Sequence, residues 1–95
     1  MSNTILISYD LGGPETSASY KRLIKAIEAA GILAKPLESF WLVKTPDSAV
    51  GVRDVLRQYL DANDKLLVIN VTGDETAWVG LPKGIEDWLR ANMGG

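Results

Sequence analysis

Apolar and polar positions along the chain fall into segments of two alternating periods. Ile5, Ile7, Tyr9 and Leu11 alternate with Leu6, Ser8 and Asp10. This is the period of a strand, apolar enough on both faces for the middle of a sheet. Gly12-Gly13-Pro14 ends it, and Thr16 or Ser17 is placed to cap a helix through its hydroxyl. Tyr20, Leu23, Ile24 and Ile27 then recur at helical spacing, with Lys21, Arg22, Lys25 and Glu28 facing away. Gly31 reads as the left-handed stop of this helix. Residues 33–37 and 40–45 read as two strands joined by a tight bend at Glu38-Ser39. Pro36 removes a ladder donor there, and the polar pair interrupts the apolar series. One long bent strand is the alternative.

Pro46-Asp47-Ser48 opens a second helix whose Val52, Val55, Leu56, Tyr59 and Leu60 form an apolar stripe, with Gly51 weakening its first turn. A polar turn at 61–64 leads into residues 66–71, apolar on both sides and expected to be central in the sheet. Residues 72–75 read as a loop and 77–81 as a short strand-like piece. Pro82 starts a last helix with Ile85, Trp88, Leu89 and Met93 on one side, and Gly94-Gly95 is expected to fray. The order β-α-β-β-α-β, with a strand and a helix added, predicts an α+β ferredoxin-like fold. Both internal helices then lie on one face of an antiparallel sheet, in one domain spanning residues 1–95. The expected core is Ile5, Ile7, Leu23, Ile24, Ile27, Val55, Leu56, Tyr59, Leu67 and Ile69. Leu6, Ser8 and Asp10 are expected on the other face with Leu66, Val68 and Asn70, a half-apolar surface to be covered by a symmetric dimer or by the terminal helix.

Composition narrows the chemistry. The 95 residues include neither Cys nor His, which excludes zinc sites of the usual kind, His-based acid–base catalysis and Cys or Ser-His nucleophiles. Any metal has to be held by oxygen, which favours magnesium, manganese or calcium. The net charge of −2 argues against coating nucleic acid non-specifically, since that affinity comes from Lys and Arg on phosphate. Lys21, Arg22, Lys25, Lys35 and Lys44 offer a local basic patch, for which a solvated helix face is the plainer reading. No signal peptide or membrane span is visible, and a cytoplasmic protein with no membrane partner is expected.

Asp10, at the end of the first strand, is the leading candidate for metal binding or acid–base work, against a purely turn-forming role. Metal-assisted phosphodiester cleavage needs several carboxylates. Glu15, Glu38, Asp74 and Glu75 are only loosely placed, whereas two-fold symmetry would bring a second Asp10 near the first. Gly12-Gly13 lacks the flanking pattern of a phosphate loop. Phe40, Trp41, Trp78 and Trp88 are candidates for base stacking, with core or interface packing the plainer role for each.

Taken together, Tyr9-Asp10-Leu11, the helix ending at Gly31, Ala34-Lys35-Pro36-Leu37-Glu38-Ser39-Phe40-Trp41, the second helix and Lys65-Leu66-Leu67-Val68-Ile69 resemble the small CRISPR-associated protein two family. That family's pattern is a strand ending in Tyr-Asp-Ile, then a serine-containing bend before the third strand. The match covers about residues 4–72. The chain is similar also to virulence-associated protein D ribonucleases and to SinR-like small bacterial proteins. The resemblance implies a homodimer with facing sheets, in which Asp10 binds Mg²⁺ for cleavage of RNA or DNA. The serine of the family's bend matches Ser39, and in a nuclease of this kind Ser8 or Ser39 is expected to position the phosphate. Residues 82–93 depart from the family, with an amphipathic helix in place of a short swapped strand. A dimeric nucleic-acid-associated protein of metal-dependent endonuclease type is the expectation. A non-catalytic dimeric adaptor or regulatory protein on the same fold is the alternative.

Overall fold

The fold is built on the strand that the alternating N-terminal segment demands. A computed structural model describes residues 2–12, 18–37 and 39–93. In it, β1 (Asn3–Asp10) buries Ile5, Ile7 and Tyr9 on one side. Helix α1 (Ala18–Ala29) follows and lays Leu23 and Ile27, one turn apart, on that side. β2 (Ile32–Leu37) and β3 (Phe40–Thr45) are separate strands paired as a hairpin, so the bend reading holds over the single long strand. Their pairing becomes irregular between Ala34 and Leu37, where Pro36 has no N–H to give and the edge position of β2 tolerates it.

Helix α2 (Ala49–Leu56) begins where Ser48 accepts a hydrogen bond from the Gly51 N–H at 3.0 Å, and it tightens into a 3₁₀ turn over Arg57–Tyr59. β4 (Lys65–Asn70) and α3 (Lys83–Asn92) complete the chain. The sheet order is β2-β3-β1-β4 with every neighbouring pair antiparallel. Residues 77–81 form no strand. The cap expected at Thr16 or Ser17, the Gly13-Pro14 turn, the Glu15 and Glu38 carboxylates and the Gly94-Gly95 end lie outside the described residues. No helix among the described residues is long and apolar enough to cross a membrane.

The core sits between β1, β3 and the first two helices, where Ile5, Ile7, Leu23, Ile27, Trp41, Val43, Val52 and Leu56 are buried together. Three expected members do not belong to it: Val55, Leu67 and Ile69 are 48%, 56% and 42% exposed. Opposed residues of an antiparallel pair share a face, and Leu66 pairs with Tyr9 while Val68 pairs with Ile7. It is therefore Leu66 and Val68 that pack beneath the helices. Leu67 and Ile69 share the far face with Ser8 and Leu6, the reverse of the expectation. β4 is also an edge strand rather than a central one. In α2 the row facing the sheet is Val52 and Leu56, one turn apart, which turns Val55 outward.

Gly31 is needed for a different reason from the one its place after a helix suggests. Among the described residues only Gly73 and Gly80 have positive φ, so Gly31 makes no left-handed stop. A Cβ on Gly31 would collide with the Lys44 carbonyl oxygen of β3. Close approach of two backbones, not turn handedness, requires a glycine there.

The far face of the sheet is partly roofed. Leu89 of α3, Leu42 of β3 and Ala34 of β2 are each buried, outside the main core cluster. Thr4 ties this layer down through its N–H, donated to Thr72 Oγ1 at 2.9 Å, and its hydroxyl, donated to the Asn92 carbonyl at 3.2 Å.

Candidate functional site

Strand register gathers the three residues singled out from the sequence at one end of the sheet. Asp10 and Ser8 project from the far face of β1, since side chains two apart share a face. Asp10 pairs with Lys65, and Ser8 pairs with Leu67 on one flank and Phe40 on the other. Ser39 joins them through its backbone, its carbonyl accepting from the Tyr9 N–H at 3.4 Å. Asp10 is exposed, while Ser8 and Ser39 are half-buried. A shallow groove of about 230 Å³ runs over Ser8, Asp10, Lys65 and Leu67.

The loop beyond Asp10 is held by another carboxylate. Asp64 accepts from the N–H of Asp61 through Oδ2 and from that of Gly12 through Oδ1, both at 2.8 Å. These two backbone donors, Asp61 foremost, hold its carboxyl below the ordinary aspartate value. Asp64 thereby staples the exit of β1 to the entry of β4, fixing the end of the sheet at which Asp10 stands.

Among the described residues, no three acidic side chains come together as a metal-holding group. The residue directly across from Asp10 in β4 is Lys65. Asp74 and Glu75 lie beyond the opposite end of β4, in the loop that follows it.

Trp41 is excluded as a stacking platform, being 5% exposed. Its Nε1–H donates to the Tyr9 hydroxyl at 3.1 Å inside the core. The Tyr9 hydroxyl also meets that of Tyr20 at 3.5 Å, with the two rings edge to face at 6.0 Å. Lys35 covers the Trp41 ring from the helix side at 5.2 Å, whereas Lys44, paired with Thr4, belongs to the far face. The sheet thus separates these two members of the expected basic patch.

Sequence reasoning missed a cleft on the far face. The chain leaving β4 crosses over the sheet before entering α3, and Trp78 pins it there. Trp78 Nε1–H donates to Glu86 Oε2 of α3 at 2.9 Å, and Arg90 stacks on its ring at 5.5 Å. Beneath this crossing lies a cleft of about 450 Å³, floored by Leu6, Phe40 and Leu42 and walled by Trp78, Leu89 and Met93. Its signal in the sequence was the apolar character of Val71, Trp78, Val79 and Leu81 in a stretch too irregular to form a strand.

No protein-family model matches the chain, and no curated protein is similar to it in sequence. In structure it is similar to the crystal structure of a hypothetical protein from Thermus thermophilus. The TM-score is 0.65 at 18% identity, over 86% of this chain and 96% of that one. At that identity the likeness is one of fold.

Proposed function

We propose that the chain is a non-catalytic homodimeric adaptor of the cytoplasm, on a ferredoxin-like scaffold whose β1–β4 far face is its own docking surface. The observation that carries this reading is the exposure of Leu67 and Ile69, 56% and 42%, on a strip that α3 leaves uncovered. The strip is self-complementary. A two-fold axis running along the seam between β1 and β4 lays β1 of one copy over β4 of the other. Leu6 then faces Ile69 of the second copy, Ser8 faces Leu67, and Asp10 faces Lys65. Facing sheets cross at about 30°, so the match is closest where the strips cross. In this reading Asp10 is an interface charge, which agrees with a lysine rather than further carboxylates beside it.

Sedimentation velocity at micromolar concentration tests the dimer. Leu67→Asp is expected to yield monomer. Asp10→Lys and Lys65→Asp are each expected to weaken association, and the two together to restore it, because the exchange rebuilds the same pair across the axis. A monomeric wild type with a folded spectrum removes the reading.

The second reading is a Mg²⁺-dependent nuclease of the CRISPR-associated protein two type, favoured by the gathering of Ser8, Asp10 and Ser39 at one end of the sheet. Cleavage assays on single-stranded RNA and on single- and double-stranded DNA, with Mg²⁺, Mn²⁺ or chelator, separate the two. The adaptor reading expects no cleavage by wild type. Metal-dependent cutting that disappears in Asp10→Asn replaces it with the nuclease.

A further inference from the structure

We infer that the cleft between the sheet, the 71–81 crossing and α3 binds a small amphipathic amine, an apolar chain or ring system carrying one protonated nitrogen. Its volume of about 450 Å³ falls in the ~300–1,000 Å³ range of small-molecule sites. The lining is aliphatic and aromatic on three independent sides: Leu6 and Leu42 from the sheet, Trp78 from the crossing, Leu89 and Met93 from α3. Leu37 and Val79, 60% and 93% exposed, also line it, so apolar surface continues out to solvent.

Among the described residues of the lining, the charged and hydroxyl side chains are Asp74, Glu75 and Thr76, and the charge has one sign. Asp74 and Glu75 line the cleft, both exposed, and neither carboxylate takes part in a hydrogen bond or ion pair among the described residues. Among the described residues, no Lys or Arg belongs to the lining. Arg90, which stacks on Trp78, is shared between Glu86 and Asp87 at 3.9 Å each. An apolar body with an anionic head would meet uncompensated repulsion here, while a cationic head finds two free partners.

The wall is preformed. Gly73 and Gly80, with φ of 74° and 80°, turn the chain at either end of the segment. Thr72 is fixed by Thr4, and Trp78 is fixed by Glu86, so the crossing is tied on both sides of the two carboxylates. Little ordering is left to oppose binding. The cleft shares only Leu6 with the proposed dimer strip, and its occupancy does not depend on that dimer.

Isothermal titration of the full chain with decylamine, decanoate and decanol, each below its micelle concentration, tests the inference. Decylamine is expected to bind saturably at one per chain. Decanoate is expected to bind about tenfold or more weakly, as two exposed charge contacts imply, with the gap narrowing as salt rises. Asp74→Asn with Glu75→Gln, both at exposed positions, should bring decylamine down to the level of decanol. Equal binding of amine and carboxylate, no saturable binding of any of the three, or unchanged amine affinity in the double variant overturns it.

Discussion

The hydroxyl of Thr4, in the first strand, donates to the carbonyl of Asn92, at the end of the last helix, across 88 positions of sequence. Thr4 is 1% exposed, and its N–H is also used, by Thr72. One residue therefore fastens both the crossing segment, through its backbone N–H, and α3, through its hydroxyl, to the sheet. Replacing Thr4 by Val keeps the shape and the N–H bond but removes the hydroxyl. The expected loss is about 0.5–1.5 kcal/mol, measured by urea denaturation, with amide exchange rising in α3 more than in α1.

Tyr9→Phe leaves the buried Trp41 Nε1–H without its acceptor. The cost of an unsatisfied buried donor is about 1–3 kcal/mol. Denaturation followed by tryptophan fluorescence is expected to show it. A neutral result would mean that Trp41 finds another partner.

Leu56 and Val55 are adjacent in α2, about 100° apart around its axis, and are 1% and 48% exposed. Leu56→Ala is expected to cost about 2–5 kcal/mol, and Val55→Ala no more than about 0.5 kcal/mol. The comparison of the two midpoints checks the orientation of the helix directly, since the pattern read from sequence treats both as core.

Asp64 carries a pH dependence whose sign follows from its lowered pKa. The unfolded chain binds the proton more readily, so the carboxylate's contribution is fully present above the unfolded value of about 3.9. It is lost as pH falls through the lower folded value. Asp64→Asn supplies one acceptor oxygen where the native carboxylate supplies two. Its deficit against wild type is expected at neutral pH and should disappear in strong acid, as measured by thermal denaturation across that range.

The helices, the hairpin and most of the core were readable because they rest on local periodicity. Ile5 and Ile7 alternate, Leu23 and Ile27 are one turn apart, and Pro36 and Ser39 interrupt an apolar run where the chain folds back on itself. Each signal lies within a few residues of its effect. The face of β4 was not readable in this way, because Leu66, Leu67, Val68 and Ile69 are all apolar and no alternation marks which of them turn inward. Register with β1 decides it, and a shift of one residue exchanges the faces. The same long-range register sets Lys65 opposite Asp10, a neighbour that local spacing does not reveal. Tertiary packing likewise decided the need for glycine at Gly31, which answers to the Lys44 carbonyl rather than to its own helix. The cleft on the far face exists only because α3 lies across the sheet. Its walls are drawn from strands, crossing and helix that local spacing does not connect.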